Sequence, residues 1–187
     1  MEVVKTDLEG VLILEPRIFK DARGYFFESY NRKEFLSRTG LDIEFVQDNE
    51  SYSSYGVLRG LHFQKGENAQ SKLVRVIEGR VLDVAVDIRR GSPTFGRWTS
   101  VELSAENHRQ FFIPRGFAHG FSVLSPTARF QYKCDNFYAP QSEGAIAWND
   151  PDLDIDWQLP AKDVILSEKD ACHPLLKDSP YLFEYQR

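Results

Sequence analysis

The sequence predicts a mainly β chain, an antiparallel jelly roll with a few short helices. Three observations lead there. From Glu44 onward the 187-residue chain runs as short stretches rich in Val, Ile, Phe and Tyr, separated by turn residues at regular spacing. In one of them Leu82, Val84, Val86 and Ile88 alternate with Asp83, Ala85 and Asp87, the period of two that marks a strand with one apolar face. Helical patterning is confined to short segments near the two ends. Many short strands joined by turns bury their apolar faces by closing into a sandwich or barrel, and the jelly roll is the natural candidate.

Taken in order, Val11 to Glu15 reads as a strand ended by Pro16, and Asp21-Ala22-Arg23-Gly24 as a turn into the aromatic run Tyr25-Phe26-Phe27. Asn31 offers a helix N-cap with Glu34 three residues on, Phe35 and Leu36 supply the apolar side, and Gly40 the stop. Leu73 to Ile77 and Arg80 to Ile88 flank Glu78-Gly79, which reads as a hairpin. Gly91-Ser92-Pro93 turns the chain; Arg97 to Leu103, Phe111 to Ile113, Phe117 to Leu124, Ala128 to Tyr132 and Gly144 to Trp148 complete the strands. After about residue 160 the pattern turns helical: Ser167 caps a short helix with Asp170 at its third position, and Pro174 closes it. No repeat, low-complexity tract or linker divides the chain, so residues 1–187 are expected to form one domain.

Composition narrows the function. No apolar run reaches membrane-spanning length, and no charged segment precedes an apolar one as in a secretory leader. The net charge is −5 with acids and bases interspersed, which disfavours nucleic acid or an anionic membrane as partner but leaves room for a local cationic pocket. Cys134 and Cys172 make neither a disulfide framework nor a metal spacing, so reduced thiols in the cytoplasm are expected.

One stretch carries unusual chemistry. Residues 55–64 place Arg59, Gly60 and His62 within a β-like run that would bury one face, where polar groups need partners or a task. Strict alternation puts Arg59 and His62 on opposite faces, and Gly60 between them allows a bulge that would bring both to one side. A histidine-based metal site needs three or four converging ligands. The barrels called cupins carry His-x-His in a first motif; here the run is His62-Phe63-Gln64, with glutamine at the second ligand position. The second cupin motif, Pro-x-Gly-x-x-His, is present as Pro114 to His119. The chain thus resembles a cupin with an incomplete metal set, and no catalytic metal is expected. What remains is a set suited to removing a proton α to a carbonyl: a histidine as base, a lysine to hold an enolate oxygen, and a tyrosine to return the proton.

Longer motifs sharpen this. Val57 to Gln64, Gly66 to Arg75, Asp83 to Arg89, Ser92 to Gly96, Ile113 to Phe121 and Trp148 to Pro151 occur in the order found in the dTDP-4-dehydrorhamnose 3,5-epimerases, and the resemblance extends from about Leu12 to Leu176. It implies a metal-free, cofactor-free cupin jelly roll acting on a dTDP-sugar, a homodimer whose N-terminal strands cross between subunits, and double epimerisation of dTDP-4-dehydro-6-deoxy-D-glucose. It also implies roles: His62 as base, Asp170 as its partner, Lys72 at the enolate oxygen and Tyr132 as proton donor on the other face. Arg23, Arg59 and His119 match positions near the diphosphate or sugar. Glu28, Gln47, Asn49, Glu143 and Lys169 match further binding positions, and Tyr138 matches an aromatic stacked on thymine.

Alternatives stand beside these roles. Asp83 rivals Asp170 as the partner of His62, since alternation sets it opposite Leu82 and Val84. Asp170 also has a structural role open to it as the capping acid beside Ser167. Lys72 could be a surface lysine, Tyr132 a core tyrosine sharing its face with Phe130, His119 a buried backbone-bonded histidine, and Tyr138 a loop tyrosine. Arg115 is a third candidate for the anion pocket. At the level of function the rivals are an epimerase of a single carbon on a related nucleotide ketosugar, a silent nucleotide-sugar-binding cupin, and a metal-dependent cupin.

Overall fold

A computed structural model of the chain describes residues 1–185. In chain order its strands are β1 Glu2–Lys5, β2 Leu12–Glu15, β3 Phe19–Asp21, β4 Gly24–Phe26, β5 Gln47–Ser54, β6 Leu58–Gln64, β7 Lys72–Glu78 and β8 Arg80–Asp87. They continue as β9 Arg89–Arg90, β10 Trp98–Ser104, β11 Gln110–Ile113, β12 Phe117–Val123, β13 Thr127–Cys134, β14 Glu143–Ala145 and β15 Phe183–Glu184. One α-helix, α1, spans Arg32–Thr39. Six strands form a sheet in the order β1-β2-β11-β7-β13-β5, and five form a second in the order β10-β8-β12-β6-β14. Every pairing within these two sheets is antiparallel. This is the jelly roll the sequence predicts.

Three apolar layers hold the sheets. Val74, Val76, Phe111 and Phe130 from the first sheet meet Val81, Ala85, Phe117 and Phe121 from the second, forming the barrel interior. On the outer face of the five-stranded sheet, Leu58, Leu61, Leu82, Val84 and Val86 lie beneath Ile146, Leu153, Trp157 and Leu176 of the C-terminal segment. On the outer face of the other sheet, Leu12, Leu14, Leu73 and Phe112 meet Phe35 of α1. That helix is capped as expected: the Asn31 side chain accepts from the amides of Lys33 and Glu34, and Gly40 ends it in the left-handed region. Glu34 does not close a capping box; its carboxylate takes the N-terminal ammonium at 2.9 Å.

Four expectations need correction. Glu78-Gly79 is not a hairpin turn: β7 pairs with β11 and β13 while β8 pairs with β10 and β12, so the turn carries the chain from one sheet to the other. Gly79 sits at φ +79, and a Cβ there would collide with the Thr127 carbonyl oxygen. Second, β8 has two covered faces rather than one, because the C-terminal segment roofs the side of Leu82 and Val84. Third, the strand expected over Gly144 to Trp148 is β14, Glu143–Ala145; Ile146 still exchanges backbone hydrogen bonds with Leu61, but the Ala147 amide turns away to the Pro174 carbonyl. Fourth, the helices expected after residue 160 are single 3-10 turns at Ala161–Asp163, Asp170–Cys172 and Leu176–Asp178. Pro160, Pro174 and Pro180 interrupt any longer helix, and the apolar residues of this segment reach down onto a sheet.

A buried acid fixes the turn after β8. The Asp87 carboxylate, wholly buried, accepts two bonds from the Arg89 guanidinium (2.9 and 2.7 Å), the hydroxyls of Ser92 (2.6 Å) and Thr94 (2.7 Å), and the Arg89 amide at 3.0 Å. Burial works to raise its pKa, but these bonds outweigh burial and hold the carboxyl below the usual aspartate value. Asp87→Ala leaves the donors unpaired and is expected to cost about 3 kcal/mol of stability in urea denaturation. The sign with pH follows from linkage. The native carboxyl has the lower pKa, so its contribution is present above the unfolded value of about 3.9 and lost as pH falls through the native value. Wild type should therefore lose stability more steeply than Asp87→Asn between pH 5 and 2.

Candidate active site

The position of His62 follows from a mismatch between β6 and β12. His62 pairs with His119 and Arg59 with Phe121, so three residue steps on β6 span two on β12. The extra residue is a bulge, and it permits what regular alternation forbids. Leu58, Leu61 and Phe63 join the outer layer, while Arg59 and His62 both line a cavity of about 190 Å³ on the inner side. Two glycines make the bulge possible. Gly60 has φ +137, and a Cβ on it would lie 2.6 Å from the Gly120 Cα.

A second cavity, of about 420 Å³, adjoins the first. His62, Lys72 and Tyr132 line both, so these three side chains form the shared wall. They come from three strands of two sheets: β6, β7 and β13. The His62 ring is half-exposed and directs Nε2 to Asp170 Oδ1 at 2.5 Å, the Asp170 side chain being buried. The C-terminal segment delivers that carboxylate. The Ser167 hydroxyl accepts the Asp170 amide at 3.1 Å, so Ser167 caps the short turn as its spacing predicted, and capping and pairing coexist. Burial works to raise Asp170, but the bonds to His62, Ser167 and His173 outweigh it and keep the carboxyl below the ordinary value. In the neutral His62 ring, an ionised Asp170 calls for the proton on Nε2 and so for the lone pair on Nδ1.

Lys72 is not the surface lysine that its place beside a turn allowed. Its ammonium lies 5.8 Å from the centroid of the Tyr132 ring, burial lowers its pKa, and among the described residues it makes no ion pair. A desolvated ammonium of this kind favours any site that brings it a developing negative charge. Burial raises the Tyr132 phenol, so it holds its proton at neutral pH.

Asp83 does not serve His62. It is fully buried inside the barrel and takes His119 Nε2 at 2.9 and 3.1 Å, forming a second, deeper pair that lines the smaller cavity through His119. The physical reason is the register: His119 and Phe121 of β12 lie opposite Ala85 and Asp83 of β8, which sets the carboxylate beside the imidazole. Burial pushes Asp83 up and His119 down, each partly offset by the other.

The remaining predicted residues divide. Tyr138, Glu143 and Lys169 line the larger cavity; the Tyr138 hydroxyl donates to Glu143 at 2.7 Å, and Lys169 stands 3.7 Å from the same carboxylate. Arg59 reaches the smaller cavity with its guanidinium held on Ser53 Oγ at 3.1 and 3.2 Å. Arg23 and Glu28 line neither cavity: Arg23, almost fully exposed at the turn of the β3–β4 ribbon, folds onto Asp21, and Glu28 accepts from Asn31. Gln47 and Asn49 stand behind the wall; Gln47 accepts the Tyr138 amide at 2.9 Å, and Asn49 is directed to the Cys134 sulfur. Arg115 pairs with Asp135 at 3.0 Å and lines neither of these two cavities.

Two residues gained meaning only from the structure. His173 places Nε2 3.3 Å from the same Asp170 oxygen that His62 uses. Its signal was an Asp-x-x-His spacing on a capped turn. Gln64, read as a missing metal ligand, is a buried clamp. Its amide donates to the carbonyls of Asn68 (2.6 Å) and Phe137 (3.1 Å) and accepts the Ala139 amide at 2.7 Å, gripping the chain on both sides of Tyr138. Gln64→Leu, which fills similar space without these bonds, is expected to cost about 2 kcal/mol. Amide exchange at Ala139 should rise at least about tenfold while the core strands keep their protection.

The arrangement has counterparts. The sequence profile of the dTDP-4-dehydrorhamnose 3,5-epimerases matches residues 5–178. A protein of that name from Salmonella typhimurium is 59% identical over 179 residues, 94% of this chain and 96% of that protein. The crystal structure of the dTDP-4-dehydrorhamnose 3,5-epimerase of Elizabethkingia anophelis superposes with a TM-score of 0.93 at 61% identity, covering 97% of this chain and 99% of the other. That of a dTDP-6-deoxy-D-glucose-3,5-epimerase from Legionella pneumophila, in complex with dTDP-4-keto-L-rhamnose, superposes at 0.95 with 52% identity over 100% of this chain and 99% of the other. A barrel without the second His-x-His ligand, three proton-handling side chains on one cavity wall, and identity along nearly the whole length converge on one statement: the chain belongs to the dTDP-4-dehydrorhamnose 3,5-epimerase family.

Proposed function

We propose that the protein converts dTDP-4-dehydro-6-deoxy-D-glucose to dTDP-4-dehydro-L-rhamnose by inverting C3 and C5 through enolate intermediates. The observation that carries this reading is the common wall of His62, Lys72 and Tyr132 in a member of this family. Both carbons are α to the C4 ketone. His62 Nδ1 takes the proton from one of them, and the electron pair moves to the ketone oxygen. The Lys72 ammonium, desolvated and without an ionic partner among the described residues, takes up that charge. The Tyr132 hydroxyl gives a proton to the opposite face, and solvent returns His62 and Tyr132 to their starting states before the second carbon is inverted. Asp170 holds the His62 ring in the tautomer with Nδ1 free and stabilises the imidazolium that forms. The substrate ketone supplies the acidity, so the route calls for no nicotinamide and no metal.

Binding follows the two cavities. Arg59 meets a diphosphate oxygen, His119 the sugar, and Tyr138 offers its ring to the thymine at the mouth of the larger cavity. Gln47, Asn49, Glu143 and Lys169 brace or border that mouth. Arg23 and Glu28 are read as completing the site of a partner chain in a homodimer; the exposed Phe19, Tyr25 and Phe26 on the same ribbon support an exchanged N-terminal segment. No helix among the described residues is long and apolar enough to cross a membrane. A soluble substrate fits a cytoplasmic enzyme.

Incubation with the 4-ketosugar in deuterated water, followed by NMR, tests the reading: deuterium is expected at both C3 and C5. Label at one carbon alone would identify a single-carbon epimerase instead. His62→Ala should lower turnover by about 10³-fold and Lys72→Met by about 10²-fold, with nucleotide affinity kept. Tyr132→Phe should keep exchange at the first carbon while losing inverted product. Wild-type exchange rates in His62→Ala would refute the base.

A further inference from the structure

Asp170 carries two imidazoles, and the proposed mechanism uses only one. His62 Nε2 and His173 Nε2 lie 2.5 and 3.3 Å from a single carboxylate oxygen, and the three donor atoms all fall within 4.8 Å of one another. The side chains are 45%, 21% and 5% exposed for His62, His173 and Asp170, and all three line the larger cavity, so the cluster is open to a solute. Two neutral imidazoles and a carboxylate are a ligand set for zinc. At zinc bond lengths of about 2.0–2.2 Å, tetrahedral donors stand roughly 3.3 Å apart. The Asp170–His173 pair already has that spacing. The His62–Asp170 contact would open by under about 1 Å and the two imidazole nitrogens, within 4.8 Å of each other, would close toward the same spacing, with the cavity supplying the fourth position.

We propose that His62, Asp170 and His173 form a divalent-cation site, suited to Zn²⁺, whose occupation switches the enzyme off. The chemistry of one ring connects binding to inhibition. In the working state the His62 proton sits on Nε2, bonded to Asp170, and Nδ1 holds the lone pair that removes the substrate proton. A cation at the cluster takes the Nε2 lone pair. Solvent takes the Nε2 proton and returns one to Nδ1, so the neutral ring loses its free base nitrogen with no net loss of a proton. The same cation neutralises the carboxylate that would stabilise an imidazolium. His173 has no task in the proton transfers, and Asp170 opens the short turn that His173 ends, so one local element carries both extra ligands. The inhibitory half of this inference rests on His62 being the base; the binding half does not.

The test uses the purified full chain freed of metal by a chelator. Zinc is titrated by calorimetry, cobalt by its visible absorption, and epimerisation is followed in parallel. The expected result is one ion per chain at micromolar affinity, activity falling in proportion to occupancy, and full recovery on adding EDTA. His173→Gln and His173→Ala should each weaken binding at least tenfold and raise the inhibitory zinc concentration equally, measured against each variant's own metal-free rate. Cys172→Ser should behave as wild type, although Cys172 is exposed beside His173 and is the obvious competing ligand. The site is overturned if wild type binds no stoichiometric zinc, if both His173 variants bind as wild type does, or if Cys172→Ser abolishes binding. Zinc bound through His173 with full activity retained would overturn the switch, and the exchange rate of His62→Ala then tells whether the base assignment has fallen with it.

Discussion

The close approach of Gly60 to Gly120 is the constraint on which the site depends. A one-residue mismatch between two hydrogen-bonded strands must put its extra backbone somewhere, and here it goes into a space that a single methyl group would close. A Cβ on Gly120 would lie 2.7 Å from the Arg59 carbonyl oxygen, just as one on Gly60 would meet the Gly120 Cα. Without both glycines β6 would keep strict alternation, and either Arg59 or His62 would face the apolar layer formed by Leu58, Leu61 and Phe63. The bulge therefore decides that Arg59 and His62 share a cavity. Backbone geometry, more than any side-chain contact, sets the chemistry of this strand.

Two kinds of buried charge show how the fold separates stability from function. Asp87 has every acceptor site occupied, by a guanidinium, two hydroxyls and an amide, and it fixes a turn. Lys72 is desolvated with no ionic partner among the described residues, on the wall of both cavities. A group left in that state costs stability, and the cost is returned only when a negative charge arrives. His62 with Asp170 and His119 with Asp83 stand between these extremes. Each imidazole has a carboxylate, but one pair opens to the cavity while the other lies deep in the barrel.

The C-terminal segment unites packing and chemistry. Its apolar residues roof the second sheet through Leu153, Trp157 and Leu176, and the same descent places Ser167, Asp170 and His173 over the exposed ring of His62. The Ser167 cap with Asp170 at its third position gives this segment the look of a helix start. Prolines allow only single turns, and the apolar residues answer to a flat sheet. The Glu78-Gly79 misreading has a similar origin. A Gly-containing turn between two apolar runs looks the same whether the runs pair with each other or with strands from elsewhere, since pairing is non-local. β5, Gln47–Ser54, carries almost no apolar signal because it is an edge strand, yet it supplies Ser53 to Arg59 and Gln47 to the Tyr138 loop.

By itself the sequence determined the mainly β jelly roll, the capped helix after Asn31, the glutamine at position 64 of a His-x-His-like run, and His62, Lys72 and Tyr132 as candidates that the fold then sets on one cavity wall. These are legible because alternation, capping and motif order are local properties of the chain. Only the tertiary structure decided which acid reaches which histidine. Asp83 and Asp170 were both open to His62, and the answer came from strand register on one side and a proline-broken segment crossing the sheet on the other. It also turned Gln64 from a vacancy into a clamp and brought His173 onto Asp170. Contacts between residues far apart in the chain are fixed by how layers pack, and no local pattern records that.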